Sequence, residues 1–345
     1  MNAPVRVALA GCGAVAQLYY RPALDRLERE GRLRLIAAHD PAPPALAAMR
    51  AAFPKAKAAA SFEALIACAP DLLIIASPPR FHAEQAIAAL RAGIDVHCEK
   101  PLAPSLAEGG RMAEAAAVAG RRLSVGLLRR HFPATQAIRQ LIANGALGEI
   151  ETVDCFEGGP FDWPVQSAAY FQRSAGGAGI LQDIGTHCLD LLGWWFGPPS
   201  ALTYEDDAMG GVEANCRIAL SFGNVRATVR LSRDWARPNR WLVRGSKGTL
   251  GWTANEANHF DYGIAGCDHA GNFALHELST EVATDLMLGP PAADFDQAFA
   301  NQLRRLIEQG EYVSAEDVLP TLGLIDRCYA SRQPMAMPWL LEAGG

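Results

Sequence analysis

Val5-Arg6-Val7-Ala8-Leu9-Ala10-Gly11-Cys12-Gly13-Ala14-Val15-Ala16 decides how this chain begins to fold. The run Val5–Ala10 is short, apolar and closed by glycine, so it reads as a buried strand. From Ala14 to about Glu30 the pattern is helical. Strand, glycine turn and helix in that order open a nucleotide-binding unit. In Gly11-x-Gly13-x-x-Ala16, Gly11 serves the tight turn and Gly13 lets the backbone approach a pyrophosphate. Ala16 is the small third residue for helix–strand packing, and the helix start at Ala14 and Val15 offers N–H groups to an anion. A small-residue turn without a cofactor is the alternative for the pattern alone.

The second strand-like run, Leu33–Ala38, ends at His39-Asp40. A carboxylate there can accept hydrogen bonds from both ribose hydroxyls of an adenosine and would repel a 2′-phosphate. Pro41 follows, with no arginine to receive that phosphate, so NAD is expected over NADP. Asp-Pro is also a turn signal, which is the competing explanation for Asp40.

Further short apolar strands are expected at Leu72–Ala76, Asp95–Cys98 and Leu123–Leu127, with helical stretches between them. Alternating strands and helices specify a doubly wound parallel sheet. Ligands of such sheets bind outside the carboxyl ends of the strands. Glu99-Lys100-Pro101 sits at one of these ends, after Asp95–Cys98, which makes Lys100 a candidate for chemistry. After about residue 150 the rhythm changes. Ile150–Phe156, Ala214–Phe222, Val225–Leu231, Trp241–Arg244 and Thr249–Trp252 are strand-like and follow one another without helices, with turns at Asn224 and Lys247-Gly248. Helices are expected at about 183–196, 292–309 and 315–331. The fold class is therefore α/β: a Rossmann domain over residues 1–125, then an α+β domain over 126–345 with an open, mostly antiparallel sheet.

The 345 residues carry a net charge of −6, with 50% hydrophobic and 20% charged residues. Nothing in that balance marks a nucleic-acid or anionic-membrane partner. No apolar run approaches the ~20 residues of a membrane span, and the start lacks the apolar stretch of a signal peptide. The eight cysteines are scattered with no Cys-x-x-Cys, as expected of reduced thiols in a cytoplasm.

A second constellation starts at Gly176-Gly-Ala-Gly179 and continues through Asp183, His187 and Asp190. At ~100° per residue these three share a helix face. Asp183 and His187 lie one turn apart, about 6 Å along the axis, close enough to serve one substrate. An acidic first-turn residue and a satisfied interior histidine are the plain alternatives. The preceding segment, Gly158 to Ser174, is rich in aromatic and polar groups. Trp163, Tyr170 and Arg173 are candidates there for ring stacking and hydroxyl recognition, against a packed loop as the bland reading. His259, Cys267, His269 and His276 match no compact zinc spacing, so no metal is expected.

Together, Gly11-x-Gly13-x-x-Ala16, Ser77-Pro78 with His82, Glu99-Lys100-Pro101, Val125-Gly126, Arg130-His131-Phe132-Pro133, Gly145-x-x-Gly148 and Asp183-x-x-x-His187 resemble the glucose–fructose oxidoreductase/inositol dehydrogenase/rhizopine-catabolism (Gfo/Idh/MocA) family. The likeness is strong over residues 5–197 and weaker beyond. It implies a catalytic set of Lys100, Asp183 and His187. It implies cofactor contacts from Gly11, Gly13, Ala14, Val15, Asp40, Ser77, Pro78, His82, Glu99 and Lys100. Substrate contacts would come from Lys100, Arg130, His131, Asp183 and His187. Pro79 stands where family members often carry Asn, and the familiar Arg-Phe-x-Pro appears here as Arg130-His131-Phe132-Pro133. The implied activity is hydride transfer between a nicotinamide cofactor and a secondary alcohol or ketone of a sugar, cyclitol or sugar derivative. A homodimer or homotetramer built on the carboxyl-terminal sheet and a cis bond before Pro101 are also expected. A cofactor-binding sensor on the same scaffold, a dehydrogenase of a non-sugar diol, and an interaction protein using the sheet alone are the other readings. The sensor would be expected to have lost Lys100 or His187.

Overall fold

The computed structural model describes residues 3–164, 171–172, 177–264, 270–274 and 288–336. The chain divides into two compact units, Met1–His131 with Ala292–Leu322, and Phe132–Pro291 with Gly323–Gly345.

In the first unit, β1 (Val5–Ala10), β2 (Leu33–His39), β3 (Lys57–Ala58), β4 (Leu72–Ile75), β5 (Asp95–Cys98) and β6 (Leu123–Val125) form one sheet. Its order is β3-β2-β1-β4-β5-β6 and every pairing is parallel. Leu72 to Ile75 are buried throughout, as a strand covered on both faces requires. The order reverses between β1 and β4, and the crevice at such a switch point is where ligands of this architecture bind.

The helix expected from Ala14 is interrupted. A π-helical turn spans Ala16–Tyr20, closed by the Arg21 N–H on the carbonyl of Ala16, and a regular helix follows at Arg21–Arg29. Pro22 supplies the reason: it has no N–H to donate, and its ring would meet the carbonyl four residues back. The wider turn avoids that clash.

The single division expected between residues 125 and 126 differs from the observed units, because Ala292–Leu322 packs with the first. Phe299, on the helix Phe295–Arg304, stacks on Tyr19 with ring centroids 5.0 Å apart. The Val125 N–H donates to the carbonyl of Val313 over 2.9 Å. Arg304 pairs with Glu30 at 2.7 Å. A helical pattern tells that a face is buried but not which core buries it.

The second unit is built on a nine-stranded sheet. Its strands are β7 (Ile150–Gly158), β8 (Ala201–Asp206), β9 (Asn215–Phe222), β10 (Val225–Ser232), β11 (Arg240–Gly245), β12 (Gly248–Thr253), β13 (His259–Ile264), β14 (Ala270–Ala274) and β15 (Gln333–Pro334). The order is β14-β13-β12-β11-β7-β10-β9-β8-β15. Pairing is antiparallel except between β7 and β10 and between β8 and β15. Alternation sets the two faces. Val153, Cys155, Ile218, Val229, Trp241 and Val243 are buried. The other face carries Asp154, Arg217, Arg226, Arg230, Arg240 and Arg244 at exposed or half-buried positions. The helix Thr186–Phe196 lies on the apolar face, with Trp195 against Trp241 at 5.4 Å between centroids. Beneath it, Cys155 and Cys188 bring their sulfurs to 4.0 Å, and Glu157 accepts from Trp241 Nε1 over 2.7 Å. Among the described residues, no helix is long and apolar enough to cross a membrane.

Candidate active site

In the first unit, the carboxyl ends of β1, β2, β4 and β5 bring the sequence motifs together. Gly11 has φ +90°, and a Cβ there would fall 2.5 Å from Ser77 N and 2.6 Å from the Ala76 carbonyl carbon. Only glycine allows the loop to cross the end of β4 this closely. Gly13 is different: a Cβ there would meet nothing within 4 Å. The loop thus leaves open space above Gly13, at the start of a helix whose Val15 already has helical φ and ψ. That is the cradle a dinucleotide's pyrophosphate needs, so these residues fit the group.

Asp40 is half-buried at the end of β2. Its Oδ2 accepts from Cys12 N and its Oδ1 from Ala42 N, each over 2.7 Å. The carboxylate therefore closes a turn at Pro41 and also pins the glycine loop. Each oxygen has a second lone pair for a ribose hydroxyl. Burial, then the Asp40 charge, pushes the neighbouring Cys12 thiol up to about 12, so it stays protonated at neutral pH. Ser77 is half-buried, with its hydroxyl on Gln85 Oε1 at 2.6 Å, and Pro78 is exposed.

The Lys100–Pro101 peptide bond is cis, as the sequence leads one to expect. Two buried side chains hold this turn. Glu99 accepts from Tyr20 Oη at 2.6 Å and from Lys100 N at 3.0 Å. Burial raises its carboxyl above the usual range, opposed by the Tyr20 hydrogen bond and the Lys100 charge. A Cβ on Gly126 would lie 2.9 Å from Glu99 Oε1, so the residue that follows β6 leaves room for this carboxylate. His82 is fully buried, with Nδ1 3.0 Å from the Pro101 carbonyl and Nε2 2.8 Å from the Ser77 carbonyl. Burial lowers its pKa, opposed by those carbonyls. His82 thus joins the loops after β4 and β5, and Glu99 ties the turn after β5 to Tyr20 in the segment after the glycine loop. Lys100 itself is half-buried at the strand end.

Arg130 and His131 follow β6. Arg130 donates to the Asp317 carbonyl over 3.3 Å. His131 has a buried Nε2, and burial first, then Arg305, His97 and Arg130, lowers it to about 3. His97 hydrogen-bonds Ser124 through Nδ1 at 2.9 Å, and burial lowers it to about 4. In this unit His131 therefore belongs to an interior polar cluster.

In the second unit, Asp183 lies in a π-helical turn, Leu181–Gly185, that leads into Thr186–Phe196. The expected uniform helix face is therefore broken between Asp183 and His187. Both side chains remain half-buried, whereas Asp190 is only 2% exposed and takes a structural place. Glu213 Oε1 accepts from Leu181 N at 3.0 Å and from Tyr329 Oη at 2.8 Å, and the Glu213 carbonyl accepts from Ile180 N at 3.1 Å. A Cβ at Gly179 would lie 1.9 Å from the Glu213 carboxylate, so that glycine makes room for the contact. Arg233 reaches Asp183 Oδ2 at 3.2 Å. Neither Glu213 nor Arg233 lies in a motif, and no periodicity points to them. Trp163 is half-buried in the aromatic segment, where Phe161 and Phe171 rings meet at 5.1 Å. Tyr170 and Arg173 lie outside the described residues, as do Cys267, His269 and His276.

Comparison with known proteins agrees with both units. Residues 5–127 match the model described as the oxidoreductase family, NAD-binding Rossmann fold, and residues 135–251 match the GFO/IDH/MocA C-terminal domain. D-glucoside 3-dehydrogenase of Escherichia coli (strain K12) is 32% identical over 207 residues, which cover 58% of this chain and 56% of that protein. The chain spans about half the length of such curated relatives. A 3-ketoreductase from Actinomadura kijaniata, solved with NADP and TDP-benzene, superposes with a TM-score of 0.79 at 23% identity, over 97% of this chain and 100% of that one. An inositol dehydrogenase homolog from Azotobacter vinelandii, solved with NADH and myo-inositol, gives 0.79 at 21% identity over 95% of each chain. With family models matching both units over more than half its length, the chain belongs to the Gfo/Idh/MocA oxidoreductase family.

Proposed function

We propose that this protein is an NAD(P)-dependent dehydrogenase or reductase that moves a hydride between a nicotinamide cofactor and a secondary alcohol or ketone of a sugar, cyclitol or sugar derivative. The observation that carries the reading is the company Lys100 keeps. It stands at the end of β5, on a turn fixed by two buried side chains, in a sheet whose glycine loop leaves Gly13 open. The names of the relatives support the substrate class, and a family built on a nicotinamide site supports the chemistry.

When bound, the nicotinamide takes up or returns the hydride, and the protein supplies orientation and charge. Gly11, Gly13, Ala14 and Val15 hold the pyrophosphate, Asp40 the ribose, and Ser77 and Pro78 border the same crevice. His187 removes the hydroxyl proton from the substrate in the oxidative direction and returns it in the reductive one. Lys100 donates a hydrogen bond to the same oxygen and stabilises the alkoxide as it develops. Asp183 accepts from a neighbouring substrate hydroxyl or orients His187. Trp163 offers a ring face to the substrate.

NAD is preferred over NADP, because a carboxylate at Asp40 leaves a 2′-phosphate without a cation. The cysteines that the structure describes are free thiols, in keeping with a cytoplasmic protein. The open face of the second unit's sheet, with Arg244 and Arg230 on Asp154, is the surface proposed for a homodimer or homotetramer. The test of the reading is a panel of polyols, aldoses, inositols and keto-sugars incubated with NAD and with NADP. Absorbance of the reduced cofactor should rise or fall with at least one of them. No turnover across the panel, with cofactor binding intact, would favour a sensor.

A further inference from the structure

Arg233 follows β10 and is 7% exposed, yet it carries a full charge. Burying a guanidinium is costly unless charge and hydrogen bonds surround it. Its Nη2 lies 3.2 Å from Asp183 Oδ2, and its Nη1 donates to the Ala178 carbonyl over 3.2 Å. Its guanidinium carbon sits 5.3 Å from the centre of the Phe161 ring. Its backbone N–H donates to the Ala214 carbonyl over 2.9 Å. Three segments that the sequence presents separately therefore meet on one side chain: the aromatic segment, the glycine-rich turn, and the first turn of the helix carrying Asp183 and His187.

The pair has a direction. The Arg233 side chain is 7% exposed and that of Asp183 is 30% exposed. Of the two, the carboxylate is the more accessible partner and the cation the buried one. A planar fork can hold a carboxylate and a carbonyl at once and lie against an aromatic ring, which a lysine cannot. The bond to Asp183 is charge-assisted and so directional.

We propose that Arg233 is a positioning residue for Asp183: it fixes the carboxylate's rotamer so that Asp183 meets the substrate as a hydrogen-bond acceptor. The inference rests on the reading of Asp183 as a substrate-contacting residue. Arg233 touches the reaction only through that side chain.

Two measurements test it. The first is a crystal structure of Arg233→Met, in which the Asp183 carboxylate should leave its present rotamer. An unmoved carboxylate would overturn the proposal. The second is a double-mutant cycle in kcat/KM, with NAD and the fastest of myo-inositol, D-glucose and D-glucitol as the probe. Asp183→Asn alone reports on the reading of Asp183, and full activity in that variant removes both claims. If Asp183→Asn is impaired, Arg233→Met should lose roughly 10- to 100-fold, mostly in kcat, on the scale of a lost charge-assisted contact. The double variant should then be no worse than Asp183→Asn, whereas additive losses would show that Arg233 acts apart from Asp183. Arg233→Lys keeps a cation beside Asp183 but gives up the fork, so it should recover only part of the activity. A lysine variant as poor as methionine would assign the residue to anchoring the Ala178 turn instead. If the methionine variant does not fold, the lysine variant and its combination with Asp183→Asn complete the cycle. NADH affinity, followed by fluorescence, should stay unchanged throughout.

Discussion

Gly11 and Gly13 stand two residues apart in one motif, and the structure gives them opposite surroundings. Gly11→Ala would place a methyl 2.5 Å from Ser77 N, 2.6 Å from the Ala76 carbonyl carbon and 2.7 Å from its oxygen, at φ +90°. A left-handed backbone costs an L-residue about 1–2 kcal/mol, and forcing a methyl into packed backbone costs about 1–3 kcal/mol more. The result, roughly 2–5 kcal/mol, is a large part of the ~5–15 kcal/mol that holds a typical domain together. At about 2–4 °C per kcal/mol, the unfolding midpoint of the cofactor-free protein should fall by roughly 4–20 °C. Gly13→Ala meets nothing within 4 Å. It should leave the midpoint unchanged or raise it slightly, by restricting the unfolded chain by about 0.4–1 kcal/mol. Its cost should appear on binding. A methyl where the pyrophosphate is proposed to settle should weaken NADH by about 1–3 kcal/mol, which is roughly 5- to 150-fold in Kd. Circular dichroism melts without cofactor, paired with NADH fluorescence titrations, separate the two effects. A Gly13→Ala protein that binds NADH as tightly as the parent would refute the placement of the pyrophosphate. A Gly11→Ala protein with an unchanged midpoint would refute the close crossing of β4.

Lys100→Ala and His187→Ala should each lower turnover by roughly 10²–10⁴-fold, because each removes a group proposed to act on the substrate oxygen. The rate of oxidation should climb with pH as His187 loses its proton, and near-normal turnover in His187→Ala would move the base elsewhere. Asp40→Ser should narrow the preference for NAD over NADP, and an unaltered ratio of kcat/KM values would show that Asp40 does not read the ribose. His97 and His131 sit at about 4 and about 3 in the folded protein, below the usual histidine value, burial being the first cause in each. The unfolded chain therefore binds protons more readily as pH falls from about 6.5, and stability should decline by about 2–3 kcal/mol per histidine by pH 4.5. Urea midpoints that stay level across that window would contradict the burial of the His97 ring and of the His131 Nε2. Light scattering at micromolar concentration should show a dimer or tetramer, and a monomer would remove the sheet face from the oligomer proposal.

Much of the first unit was legible because its signals are local. A strand closed by Gly11, a carboxylate at the end of the next strand and a lysine after β5 are each set by a few consecutive residues. Their meeting at one sheet edge follows from parallel topology. The second unit's strands were legible through alternation, as at Arg217-Ile218-Ala219-Leu220 and Ala227-Thr228-Val229-Arg230. Three kinds of feature were not. The short β3 and β15 have too few residues to show a period. The destination of Ala292–Leu322 depends on which aromatic surface accepts Phe299, and that is a tertiary choice. The break in the helix before Thr186 hides in composition that any helical turn would accept.

The side chains that support the site were hidden for a different reason. Tyr20, Glu213 and Arg233 act across 79, 32 and 50 residues of sequence on Glu99, Leu181 and Asp183. A pattern read within a window of a dozen residues has no access to such pairs. Glu99 shows the consequence. Beside Lys100 it reads as a cofactor contact, but one oxygen is on a tyrosine from the segment after the glycine loop and the other is on the lysine's own N–H. A buried carboxylate whose oxygens both accept from the protein is a fastening, and here it ties the turn that presents Lys100 to the helical turn that follows the glycine loop. Arg233 and Glu213 fasten the turn that carries Asp183, the first through Asp183 and the Ala178 carbonyl, the second through the Leu181 N–H. Motif residues mark where chemistry is expected. The buried charges that hold them in place come from distant positions, and their geometry is what makes the motifs into a site.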